Sequence, residues 1–285
     1  MERWCLDSNI WIGLSRDPNG PAARELDRRV RSGAIEIVLP LTVYLEAVKT
    51  GRADWRANVT GEVRKYWKGR TLRPFARAWR EELRAALAGS EPDVFGSGLE
   101  HLAGVPLEAV EPDLAELVRV AMNDPHQMLD MVLAGASPAF HDGLDEIEAM
   151  WVERMRDRDS ERRTRGISGE AAVRRDIAQS FFDHYYLNAL PRGEGRLRTV
   201  DDMLALPTLR VHVEMATRRA VDQGDPNPND ARDIMLLSVA VPYCDVVVTE
   251  KRWGHFIENR GRLDSQFDTK LWYGADPLHR ALAAG

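Results

Sequence analysis

Apolar positions along this chain change their spacing twice, and the changes divide it into three stretches. In the first, short apolar runs alternate with amphipathic segments. Residues 3–6 (Trp4, Cys5 and Leu6 at their centre) form a compact apolar run that predicts a strand, and 35–39 form a β-branched one closed by Pro40. Between them, 9–15 and 21–32 have helical spacing, with Pro21 suited to a first turn and Gly33 to a stop. A further helix is expected over 42–49. Strand and helix in alternation predict an α/β fold with a parallel sheet.

From about residue 51 to 205 the texture is Arg-, Glu- and Ala-rich with apolar residues at helical spacing. Phe75, Trp79, Leu83 and Leu87 lie four apart, directly after Pro74, and Leu114, Leu117 and Val118 make a second stripe. Helices are expected over 144–158 and 170–190, with a polar linker near 160–169. No fixed-period repeat is present. The third stretch returns to the first texture. Leu209, Val213, Ala216 and Ala220 share a helical face, and a turn-rich segment occupies 224–230. A nearly all-apolar helix follows over 231–241, then a strand over 246–249, a helix over 252–260 and a last strand over 269–273. No middle strand of the sheet is evident before Asp230. The expected organisation is therefore a split α/β domain (1–52 and 206–285) whose parallel sheet is sandwiched by helices, interrupted by an all-helical insertion (53–205).

Composition narrows the class. The 285 residues are 44% hydrophobic and 29% charged, which excludes collagen-like, disordered and disulfide-scaffold proteins. No apolar run approaches the roughly 20 residues of a membrane-spanning helix, so no membrane partner is expected. Two cysteines, Cys5 and Cys244, suit core thiols in a reducing, cytoplasmic setting. The net charge of −6 gives no global attraction for nucleic acid, so any such attraction must be local. A local source is the Arg73, Arg77, Arg80 and Arg84 stripe at helical spacing beside the Phe75/Trp79/Leu83 face; its plainer reading is a solvated helix surface.

The acidic residues carry the chemistry. Asp7 follows the first strand, Glu46 lies one turn into the helix after the second, Asp233 sits in the first turn of the helix after the turn-rich loop, and Glu250 ends the strand that begins at Val246. In a parallel sheet the carboxyl ends of strands and the following helix starts share one edge, where ligands bind. Asp230 precedes Asp233 by one turn. Gathered carboxylates repel, by roughly 4 kcal/mol for a pair ~4 Å apart at an effective dielectric of 20. Hard oxygen ligands in such a group select Mg²⁺ or Mn²⁺. Each acid also has a plainer role: Asp7 and Asp230 suit helix N-caps, Asp233 a helix N-terminus, Glu46 and Glu250 a solvated surface. Asp245, at the far end of its strand, falls about 13 Å from the ligand edge at ~3.3 Å per residue.

In order, Leu6-Asp7-Ser8-Asn9-Ile10, Pro40-Leu-Thr42-Val-Tyr-Leu-Glu46, Asn229-Asp230-Ala-Arg-Asp233-Ile, and Pro242-Tyr-Cys-Asp-Val-Val-Val-Thr249-Glu250 resemble the PIN-domain nucleases. The resemblance covers about 1–50 and 206–265. It implies a PIN-like fold and a metal-dependent endoribonuclease, with Asp7, Glu46, Asp233 and Glu250 catalytic. These four and Asp230 would bind Mg²⁺ or Mn²⁺, with Asn9 and Thr249 orienting the ligands. It implies RNA as substrate, with DNA open, and products bearing 5′-phosphate and 3′-hydroxyl ends. The family's last acid commonly stands two residues after the Thr; here Lys251 holds that position, and Glu250 is adjacent. Two alternatives remain open: an inactive PIN-like binding or assembly module, and a toxin-type ribonuclease held by a protein inhibitor. A homo-oligomer is open as well.

Overall fold

A computed structural model describes residues 1–49, 52–97, 138–193, 195–222 and 224–284. The chain divides into two compact units. One takes the described residues of Met1–Pro74, Val94–His141 and Tyr243–Gly285, the other Phe75–Asp93 and Asp142–Pro242.

In chain order, β1 (Glu2–Leu6), α1 (Ser8–Arg16), α2 (Pro21–Arg31), β2 (Ile35–Pro40), α3 (Leu41–Lys49), α4 (Ala53–Tyr66) and β3 (Arg70–Leu72) belong to the first unit. Then α5 (Phe75–Ala88) opens the second, and β4 (Phe95–Ser97) returns to the first. The second unit is built further from α6 (Pro138–Thr164, whose first residues belong to the first unit), α7 (Glu170–Phe181), a π-helical turn Phe182–Tyr186, α8 (Leu187–Ala189), α9 (Val200–Leu204), α10 (Pro207–Val221) and α11 (Pro228–Tyr243). The first unit closes with β5 (Val246–Val248), α12 (Lys251–Phe256), a π-helical turn Ile257–Gly261, α13 (Leu263–Phe267), β6 (Lys270–Trp272) and α14 (Pro277–Ala284).

All six strands among the described residues form one sheet of order β4-β3-β2-β1-β5-β6. Every pairing is parallel except β3 with β4. The sheet is therefore mixed, where a parallel one was expected. The central strands are buried on both faces, which explains their near-continuous apolar sequence. Trp4, Leu6, Ile37, Leu39, Val246 and Val248 face one core with Trp11, Leu26, Tyr66 and Leu278. Cys5, registered with both Val38 and Val247, takes the opposite face by strand alternation. Pro21 opens α2 behind Gly20, and Gly33 takes a positive φ of 73° after its end.

Two strands, β3 and β4, lie within 53–205, the stretch expected to be all-helical; they form one edge of the sheet, and the sequence revealed neither. Three residues carry no alternation to read; their strand character comes from pairing Leu39↔Thr71 and Pro40↔Leu72. The linker expected near 160–169 begins later, because α6 runs on to Thr164. Arg162 stays in the helix by pairing with Asp159 at 2.5 Å, and Asp159 also binds buried Arg219. The Leu114/Leu117/Val118 stripe lies outside the described residues. Around α5 the expected face is present: Trp79 and Leu83 are buried with Phe182, Tyr186, Met203, Leu209 and Val213. Among the described residues no helix is long and apolar enough to cross a membrane.

Candidate active site

Asp7 sits at the junction of β1 and α1, at the carboxyl edge of the sheet. Its N–H donates to the Val248 carbonyl at 3.0 Å, so the backbone ladder between β1 and β5 continues through it. Thr249, just past β5, is fixed in the same way: its N–H donates to the Trp272 carbonyl of β6 at 3.0 Å. Two side chains from neighbouring strands thereby meet. The Thr249 hydroxyl donates to Oδ2 of Asp7 at 3.1 Å, and both residues are buried. The other carboxylate oxygen accepts the Ser8 N–H at 2.6 Å, so Asp7 also caps α1.

Burial pushes the Asp7 carboxyl above its ordinary range. The Ser8 N–H and the Thr249 hydroxyl oppose that rise, the Glu250 carboxylate adds to it, and the Glu250 N–H opposes it. Glu250 is thus close enough for its charge to be felt at Asp7. It is the N-cap residue of α12, extended at φ −74° and ψ 161°, and its side chain does not cap that helix. Lys251 is the first residue of α12 and is exposed.

Glu46 is half-buried on α3, a helix that leaves the sheet directly after Pro40 of β2 and so starts at the same edge as Asp7. Asn9 is exposed in the first turn of α1. Asp245 precedes β5 at the opposite edge, where its Oδ2 accepts the Arg3 N–H at 2.6 Å.

Asp230 and Asp233 belong to the second unit, in the first two turns of α11. That helix starts at Pro228, three residues before the expected start at Ala231. The reason is a reciprocal pair: the Asp230 N–H donates to Oδ1 of Asn227 at 3.0 Å, and the Asn227 amide donates to Oδ2 of Asp230 at 3.2 Å. Asn227 takes the N-cap role that the sequence suggested for Asp230, and Asp230 answers from within the first turn. Asp233 is half-buried one turn further on.

The arginine stripe is shorter than its spacing suggested. Arg73 precedes Pro74 in the first unit, where its N–H donates to the Val94 carbonyl at 3.0 Å. Arg77, Arg80 and Arg84 are exposed on α5 in the second. The thiols of Cys5 and Cys244 are buried neighbours; their hydrogen bond first, and then burial, push the Cys5 thiol well up, so it stays protonated in the core.

Within each unit, among the described residues, no three His, Cys, Asp or Glu side chains form a ready-made metal cage. What the first unit does bring together is a buried Asp7, its Thr249 donor and the neighbouring Glu250. The close approach of Gly254 in α12 to the Tyr273 side chain gave no signal in the sequence. No known family model, curated protein or solved structure matches the chain.

Proposed function

We propose that this protein is a PIN-like, metal-dependent nuclease that hydrolyses phosphodiester bonds in RNA, with Asp7 as its central acid. One observation carries the reading: a buried carboxylate stands at the carboxyl edge of a mostly parallel sheet, held by Thr249, with a second carboxylate at its side. A purely structural cap has no use for the repulsion from Glu250.

The donor set fits a hard divalent cation. Magnesium keeps several waters and takes one or two carboxylates plus substrate phosphates rather than a full protein cage. Asp7 and Glu250 would hold it, with Glu46 on the same edge. Asp233 and Asp230 enter the proposal through the sequence pattern alone. Such an ion, when bound, supplies an activated water and charge stabilisation at the phosphoryl oxygens. The chain's own part is orientation. Thr249 fixes the Asp7 carboxylate, and the Ser8 and Glu250 N–H groups oppose the rise that burial imposes on it. RNA, rather than DNA, follows from the family resemblance, and the buried reduced thiols suit a cytoplasmic setting.

Lys251 favours a second reading, an inactive module of the same fold, because it stands where the family's last acid commonly stands. Mn²⁺ titration separates the two. A binding site stabilises the fold by mass action, about 2.7 kcal/mol at a hundred times Kd, and an active one adds metal-dependent hydrolysis of a labelled RNA. Stabilisation without hydrolysis selects the module; the absence of both responses overturns the metal site itself.

A further inference from the structure

The second unit carries a connected run of rings that its folding does not fully use. Phe75 opens α5 and meets Phe181 of α7 edge-on at 6.2 Å. Trp79, one turn along α5, meets the same Phe181 ring edge-on at 5.7 Å. His212 of α10 stacks on Phe75 at 4.2 Å, and burial pushes its imidazole down to about 4, so it is a neutral ring here. The run then leaves the core. Phe181 lies 5.1 Å from Tyr185, and Tyr185 is 49% exposed.

The exposure has a local cause. Tyr185 belongs to the π-helical turn Phe182–Tyr186, and π-turns recur at functional sites. In this turn Phe182 and Tyr186 stack on each other at 5.6 Å and are both buried. The turn places that pair in the core and leaves Tyr185 outside it. Leu187, two residues on, is also exposed.

The other end of the run is cationic. The Arg80 guanidinium lies 4.8 Å over the Trp79 ring and donates to the Ala76 carbonyl at 2.9 Å. Arg77 is exposed on the same helix. Arg84 is paired with Glu81, which leaves Arg77 and Arg80 as the stripe's cations without a carboxylate partner among the described residues. An exposed ring joined through the run to the Arg80 guanidinium, with exposed Arg77 on the same helix, is the pairing that single-stranded nucleic acid requires: a face for a base and charge for the backbone. An apolar peptide would have no use for the arginines.

We propose that this face of the helical unit binds single-stranded RNA, with Tyr185 stacking on a base and Arg77 and Arg80 contacting phosphates. The choice of RNA rests on the nuclease reading; the binding chemistry does not.

The test uses the full chain as Asp7→Asn, in EDTA, with a fluorescein-labelled oligoadenylate of about 12 nucleotides, followed by anisotropy across a salt series. Tyr185→Ala is expected to weaken binding at least about fivefold, and Tyr185→Phe to bind as the parent does, because stacking needs the ring and not the hydroxyl. Arg77→Ala with Arg80→Ala should weaken binding and reduce the salt slope by about one to one and a half. Equal binding by parent and all variants overturns the proposal, as does absence of binding by the parent. Concentration-dependent self-association that Tyr185→Ala abolishes, without RNA binding, makes the face a contact between copies and also overturns it. Hydrolysis by the wild type in Mn²⁺ is read separately. Binding without hydrolysis sinks the nuclease reading and leaves this one standing; hydrolysis without any effect of Tyr185 or the arginines does the reverse.

Discussion

Thr249 Oγ1 and Asp7 Oδ2 stand 3.1 Å apart although 242 positions separate the two residues in the chain. The parallel pairing of β1 with β5 makes the contact. Leu6 registers with Val248, so the residues just beyond each strand emerge side by side. Burial at that depth penalises the charge, and the three donors that oppose the penalty come from its own helix start and from the end of β5.

Asp7→Asn is expected to abolish metal-dependent hydrolysis and to leave the fold in place, because Asn preserves the shape and the α1 cap. Without metal the variant should also be more stable than the wild type at neutral pH. The sign follows from linkage. The folded-state value of Asp7 lies above its ordinary 3.8, so ionising it opposes folding. The stability linked to its proton is fully present below about pH 3.8 and is lost as pH rises through the higher folded value. The difference between variant and wild type should therefore shrink on acidification. Thermal melts at several pH values check this, and a pH-independent difference contradicts the assigned burial.

Thr249→Val removes the hydroxyl that helps hold Asp7 ionised and keeps the side-chain volume. A hydrogen bond to a charged group contributes about 1.5–3 kcal/mol, so destabilisation of that order is expected at neutral pH. Asp7 should also titrate at a higher pH, moving the acidic limb of the activity profile upward. Thr249→Ser keeps the donor and should restore the profile. If Val and Ser variants share one profile, the hydroxyl does not position Asp7.

Glu250→Gln and Lys251→Ala separate the two readings of that corner. With Glu250 as a ligand, the Gln variant should bind Mn²⁺ more weakly while Lys251→Ala binds nearly as the wild type. The Gln change also removes a like charge from beside Asp7, so Asp7 should titrate lower. Calorimetric titration of both variants, with the Asp7 carboxyl followed by NMR, gives both readouts. Unchanged Mn²⁺ affinity in Glu250→Gln removes Glu250 from the site.

Long apolar elements were legible in the sequence, and pairwise relationships were not. The strands at β1, β2, β5 and β6 and the helices of 9–15, 21–32 and 231–241 are near their expected places, because continuous apolar runs and Pro or Gly stops are local signals. β3 could not be read, since Arg70–Leu72 becomes a strand only by pairing with Leu39 and Pro40 on one side and Phe95–Ser97 on the other. The start of α11 was misplaced because Asn227 and Asp230 cap each other, and the sequence shows two equivalent capping residues without showing which reaches which. Asp7 and Thr249 were legible as candidates from strand ends. Their shared edge with Glu250 was legible too; that Glu250 would be the extended N-cap of α12 was not. The reach of Arg73 was overestimated: helical spacing continued through Pro74, where the helix does not.

The extended turn at Glu250 depends in its own right on Gly254. The residue lies inside α12, its N–H donating to the Glu250 carbonyl at 3.0 Å, and a Cβ built on it would overlap the Cβ and Cγ of Tyr273. Tyr273 cannot easily swing aside, because its hydroxyl is held by Glu258 and accepts the Asn259 amide at 3.1 Å. Gly254→Ala should therefore push α12 from the end of β6 and destabilise the fold by about 1–3 kcal/mol, the range of core overpacking, despite the better helix propensity of Ala. Because Glu250 is the N-cap of the displaced helix, Mn²⁺ affinity should fall with it. Tyr273→Gly, which removes both overlapping atoms, should relieve the overlap, so the double variant should lose less stability than the two single losses added together. Denaturant titration of the four proteins measures that coupling. Simple additivity between the two changes means that α12 does not rest on the Tyr273 ring and that Glu250 is positioned by something else.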